Sequence, residues 1–201
     1  GEGMLVSSDF GRTWFPSNDG FRERLVRQII PDEARSRLLV LTGADGARNS
    51  ALFELDRASG LWRRMELPEG REIRAIGLYP NGDLVLGTDD GVYQGLSAGP
   101  PWRRLALLVS GADPHPSVDD IHIRGEQVFV ATDTGLFASH DRGATFTLLR
   151  FGSTRAVVTL GISAKGRVVV ATPFALYAAA DGLNFEQIAA VGLRGLKRLV
   201  F

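Results

Sequence analysis

Two sets of side chains in this sequence are placed where they could do chemistry. The first is a charged set: Asp45, Arg48, Asp89, Asp90 and Asp133 fall at short turns, and Arg22, Arg24, Arg71, His115, Arg155 and Arg194 fall in longer segments between β-rich runs. An Arg guanidinium is a planar fork that pairs a carboxylate through two parallel bonds. Brought together, such residues would grip a carboxylate or a peptide; left apart, they form a solvated, mutually paired loop surface. Composition favours Arg in any case, since Lys165 and Lys197 are the only Lys among 23 basic residues.

The second set is the run VDDIHI, where Asp119 and Asp120 stand beside His122. These residue types suit metal ligation or acid–base work. In a strand, neighbouring side chains point to opposite faces, so Asp120 and His122 share one side and Asp119 takes the other. A lone Asp–His pair is not a metal set, and no metal or cofactor is expected. With no Cys there is no thiolate, and no GxSxG or phosphate-loop motif is present. Tyr79, Tyr93 and Tyr177 sit inside strand patterns, as packing residues rather than nucleophiles. No catalytic residue is assigned.

Net charge narrows the partners. Lys and Arg total 23 and Asp and Glu total 23, where a nucleic-acid or anionic-membrane binder normally carries a basic excess. No apolar run approaches the roughly 18 residues of a membrane span, so membrane insertion is not expected. The chain opens at Gly1 with no Met and no signal-peptide pattern, as a trimmed product or a fragment would.

These residues must be positioned by elements, and the elements repeat. LVLGTDDGVYQGL (84–96), VFVATDTGLFASH (128–140) and VVVATPFALYAAA (168–180) share a β-rich run, a small residue plus Thr, a turn and a small-apolar-aromatic triplet. Leu5, Phe53, Tyr93, Phe137 and Tyr177 mark one ruler, with offsets of 48, 40, 44 and 40 residues. Trp14, Trp62, Trp102, Phe146 and Phe185 mark a second, with offsets of 48, 40, 44 and 39. Each unit is Val, Ile, Leu and Thr runs cut by Asn-Gly, Asp-Gly and other Gly turns, a hairpin pattern. Four-stranded antiparallel units of this length are blades of a β-propeller. The expectation is therefore an all-β fold with about five blades in one domain over 1–201. The units run approximately 1–20 (partial), 21–68, 69–112, 113–152, 153–190 and 191–201 (partial). They would make either a five-bladed ring closed by its termini, with LKRLVF as an inner strand, or an arc of a 6–8 bladed propeller.

In such a fold the turn between second and third strands and the connection to the next blade share a face. That face would carry Arg48, Arg71, Asp89, Asp90, His115, Asp133, Arg155 and Arg194, with Asp45, Arg22 and Arg24 nearby. Inner-strand residues Arg27, Arg74, Asp119, Asp120, His122 and Arg198 would line the axial channel.

Between the third and fourth strands, two units carry SSDFGRTW (7–14) and SHDRGATF (139–146). Asp9 and Asp141 can each accept backbone N–H bonds from their own tight turn. Gly11 and Gly143 allow positive φ, the hydroxyls of Ser7, Thr13, Ser139 and Thr145 can close the turn, and Trp14 and Phe146 are expected to fill the gap between sheets. The alternative for the two Asp is a catalytic acid or cation ligand. AADGLNF (179–185), LDRASGLW (55–62) and GLSAGPPW (95–102) are progressively weaker copies.

Both full copies match the Asp-box, SxDxGxTW with Phe allowed last, so the chain resembles the BNR-repeat β-propellers. The short units with GTDDGVY and ATDTGLF are most similar to the photosystem II stability and assembly factor-like proteins common in bacteria, and to sortilin-like proteins. That resemblance implies a noncatalytic scaffold that binds a protein or peptide partner, with a glycan as another ligand, in an extracytoplasmic setting. Sialidases and xyloglucanases share the repeat, so a glycoside hydrolase using Asp45, Asp89, Asp90, Asp120 or Asp133 is the alternative. The FRIP segment of sialidases is absent.

Overall fold

The computed structural model describes residues 4–18, 25–43, 50–96, 99–107, 115–152, 156–163 and 165–190. A two-stranded sheet, β1 (Leu5–Val6) and β2 (Phe15–Pro16), precedes four blades. The first blade is β3 (Val26–Asp32), β4 (Arg37–Thr42), β5 (Ala51–Asp56) and β6 (Leu61–Arg64). The second is β7 (Ile73–Leu78), β8 (Leu84–Thr88), β9 (Gly91–Leu96) and β10 (Gly99–Leu105). The third is β11 (Val118–Arg124), β12 (Gln127–Thr132), β13 (Gly135–Ser139) and β14 (Thr147–Leu149), and the fourth is β15 (Thr159–Ile162), β16 (Val168–Ala171), β17 (Ala175–Ala179) and β18 (Glu186–Ala190). Each blade is an antiparallel meander in sequence order. Among the described residues the only helix is one 3-10 turn, Glu33–Arg35, and none is long and apolar enough to cross a membrane.

Continuous apolar runs in the second strands follow from this stacking, because a blade between two others is covered on both faces. In β12, Val128 and Val130 pack toward the second blade with Val85 and Ile121. Phe129 and Ala131 alternate to the other side and pack toward the fourth with Leu160 and Val170. Leu39, Leu41, Leu84 and Leu86 fill the seam between the first two blades in the same way. Close approach of the second and third blades depends on Gly87: a Cβ there would lie 2.4 Å from Cγ1 of Val118.

The second aromatic ruler resolves into two environments. Trp62 is buried and donates its indole N–H to the Ser17 carbonyl at 2.9 Å. Phe146 packs against the seam between the second and third blades. Trp14, expected to fill a gap in the same manner, is 57% exposed instead. Its sheet, β1–β2, has no inner strands among the described residues to cover the ring.

Candidate functional site

Both full Asp-boxes fold into the same cage. Asp141 accepts from the Thr145 hydroxyl at 2.6 Å, the Ser139 hydroxyl at 2.7 Å and the Thr145 N–H at 2.9 Å, while Ser139 Oγ accepts the Gly143 N–H at 2.8 Å. Asp9 repeats these bonds with Thr13 and Ser7, and the Gly11 N–H completes them. Phe10 and Gly11, like Arg142 and Gly143, are successive positive-φ residues, as a type I′ turn requires. Donation from Thr145 and Thr13 holds the two carboxyls down at about 2. Their oxygens are committed to their own turns.

The opposite side of the blades is built on threonine. Thr42, Thr88 and Thr132 end their second strands and Thr172 directly follows the fourth blade's, all fully buried. Each hydroxyl donates across the turn to a third-strand carbonyl: Ala51, Gly91, Gly135 and Ala175, at 3.2, 2.9, 2.7 and 3.1 Å. The small-plus-Thr signature of the repeat is this lock. Onto the locked turns dock the connections between blades: Asp89 N–H donates to the Glu72 carbonyl, Gly91 N–H to Pro116 and Asp133 N–H to Ser117, each at 3.1 Å. Val157 N–H reaches the Thr132 carbonyl at 2.9 Å. Turns and connections thus form one face with a hydrogen-bonded framework.

That face brings together Arg71, Asp89, Asp90, His115 and Asp133 of the sequence-derived set. Arg71 Nη1 is 2.7 Å from Asp90 Oδ2, and Arg104 pairs with the other Asp90 oxygen. Asp89 Oδ1 accepts the Glu72 N–H at 3.1 Å, His115 is exposed with its Cα against Gly91, and Asp133 is exposed. Arg48, Arg155 and Arg194, with Asp45, Arg22, Arg24 and Arg198, lie outside the described residues. Two contributors escaped the sequence reading. Arg104 comes from an outer strand and also covers the Tyr93 ring, 5.7 Å from its centroid. Glu72 sits one residue before β7 and is buried beneath two arginines, 3.3 Å from Arg27 Nη1 and 3.3 Å from Arg74 Nη2.

The inner-strand residues divide into two rows. Gln28 and Asp120 are equivalent and buried, and each ties its blade to the next. Gln28 exchanges two hydrogen bonds with the Ile76 backbone at 2.8 and 2.9 Å. Asp120 Oδ2 accepts from the Thr159 hydroxyl at 2.7 Å and the Leu160 N–H at 3.2 Å. His122 Nε2 stands 3.7 Å from the same oxygen and shares the side of Asp120, as alternation requires. No group of three His, Cys, Asp or Glu suited to a metal ion occurs among the described residues. The other row, Arg27, Arg74 and Asp119, is pushed outward by bulges. Tyr79 and Tyr177 are buried packing residues and Tyr93 is half-buried. Burial pushes the Tyr79 hydroxyl up to about 12, although Arg142 lies 5.0 Å above the ring and opposes the shift.

No family model matches this sequence, and no curated protein matches it. Solved structures do. The chain is similar to YCF48 bound to D1 peptide, with 14% identity and a TM-score of 0.59 over 81% of this chain and 54% of that one. It is similar to the GH74 enzyme of Niastella koreensis, with 13% identity and a TM-score of 0.66 over 93% of this chain and 34% of that one. The extracellular domain of BT4673 from B. thetaiotaomicron gives 16% identity and a TM-score of 0.71 over 98% of this chain and 26% of that one. The likeness shows the fold, a β-propeller, and the chain spans about half the length of the YCF48 chain it matches.

Proposed function

We propose that this propeller is a noncatalytic scaffold that binds a protein or peptide partner through the face made by its second-to-third strand turns and blade connections. The supporting observation is the framework of that face: Asp90 on its turn, Arg71 on its connection and the strand residues Arg74, Arg104 and Asp119 are partly exposed beside turns pinned by buried threonines, so recognition groups are held without much ordering cost. The likeness in fold to YCF48, a protein solved with a D1 peptide, is consistent with a peptide partner. Selection of a displayed peptide library on the protein tests the reading. Carboxylate-bearing peptides should be enriched, and lost on R71E/R74E, while R35E on the Asp-box side retains them. Equal enrichment on both variants would contradict the assignment of the face.

One observation favours a second reading, a glycoside hydrolase. Such enzymes pair an ionised carboxylate with one whose proton is held, and Asp119, pushed up to about 6 by loss of hydration, lies within electrostatic reach of Asp133. Asp89, Asp90 and Asp120 are engaged as described above, and Asp45 is outside the described residues. Turnover of a fluorogenic glycoside by the protein, abolished in D119N or D133N, would establish this reading over the first.

A further inference from the structure

Three successive inner strands break register at the same place. The pairing of β3 with β4 shifts between Val26 and Gln28, that of β7 with β8 between Ile73 and Ala75, and that of β11 with β12 between Val118 and Asp120. Each bulge leaves one residue unpaired and re-aims its side chain, and those residues are Arg27, Arg74 and Asp119. They form one ion chain across three blades. Glu72, with a side chain only 4% exposed, joins Arg27 to Arg74 at 3.3 Å on each side. Arg74 Nη1 then donates to Ser117 Oγ at 2.6 Å and stands 3.7 Å from Asp119 Oδ1.

The last link is the weakest and the most open, with the Asp119 side chain 39% exposed and that of Arg74 27% exposed. Loss of hydration raises the Asp119 carboxyl to about 6; Arg74 on β7 opposes this, Asp133 at the β12–β13 turn and Asp120 on its own strand reinforce it, and Arg27 on β3 opposes it. His122 faces Asp120 from the same strand. When Asp119 takes a proton, the formal charge of the two Arg, Glu72 and Asp119 passes from zero to plus one.

We propose that the Arg27–Glu72–Arg74–Asp119 chain is a proton switch on the binding face: Asp119, when ionised, balances the charge of Arg74 beside its Ser117 bond, and when protonated it leaves that charge to attract a carboxylate of the partner. The switch rests on the peptide-binding reading and adds its regulation. Proton and anionic ligand favour the same state, so each strengthens the other by an equal factor. Carboxylate binding therefore tightens as pH falls through about 6.

Acetyl-triaspartate, whose own carboxyls titrate near 4, serves as the probe. Its affinity for the full chain is measured by calorimetry at pH 7.5 and 5.2, alongside carbon NMR titration of Asp119 and the nitrogen shift of Arg74 Nε. Removal of one nearby charge gives an expected gain of roughly fivefold at the lower pH. D119N binds with the tighter affinity at both pH values, D119S does the same, and the Asp119 midpoint rises when the probe is bound. Affinity of the wild type that does not change with pH, or a D119N variant that keeps the wild-type pH dependence, would overturn the switch and leave the peptide reading standing. An Arg74 Nε shift that ignores Asp119 titration in the free protein overturns the switch without reference to any ligand. Absence of probe binding at either pH, with Asp119 titrating as described, overturns the peptide reading and the ligand assigned to the switch with it.

Discussion

Asp9 and Asp141 carry the same side-chain cage in separate sheets, which marks the Asp-box as a local device that needs no distant partner. Asp141→Ala strips two N–H or O–H donors of Thr145 and the Ser139 hydroxyl of their acceptor, and its melting temperature should fall by a few degrees. An unchanged melting temperature would contradict the structural role. The sign of the pH effect follows from the depressed carboxyls: their contribution is complete above the ordinary Asp value near 4 and is lost as pH falls through about 2. Asp119 has the opposite sign. Its native carboxyl holds the proton more tightly than an unfolded one, so the native state loses stability as pH rises from about 4 to about 6. D119N should therefore be more stable than the wild type at pH 7.5, by roughly 1 kcal/mol after solvent screening of a partly exposed group, and indistinguishable from it at pH 3.5. Urea titrations at both pH values read the difference.

The blades are joined at their inner strands by side chains that replace missing backbone partners. Gln28→Leu would leave both the N–H and the carbonyl of Ile76 without the bonds that Gln28 supplies, at about 1–3 kcal/mol for each buried group left unpaired. Denaturant midpoints check this, and a neutral result would mean that the Ile76 groups find other partners. Much at this scale was legible beforehand. Hairpin turns, the Thr before each second-to-third strand turn and the box residues are local, and all fall within a few positions of the chemistry they serve. The Arg27–Glu72–Arg74 link was not, because Glu72 meets Arg27 across 45 residues. Asp119 shows a subtler limit. Alternation correctly separated it from Asp120, yet only the bulge, invisible in residue types, turns it outward toward Arg74. Trp14 fits the box pattern, but its exposure depends on which strands cover it.

Stability of the whole molecule lies in the seams between blades. Phe137 is fully buried where the third blade meets the second, and Phe137→Ala should cost about 3–5 kcal/mol through lost burial and the cavity left behind. Gly87 marks the same seam from the other side, and Gly87→Val would force the second and third blades apart. Such seams hold the face of turns and connections as one surface, since turns of one blade bond to connections of the next. In the proposed function this face, and not the Asp-box side, receives the partner. Amide hydrogen exchange of the protein with and without a library-selected peptide tests it most directly. Slower exchange at residues 71–74, 89–91, 116–119 and 133–135 is the predicted result; slowing confined to residues 7–14 and 139–146, with those turns unchanged, would contradict it.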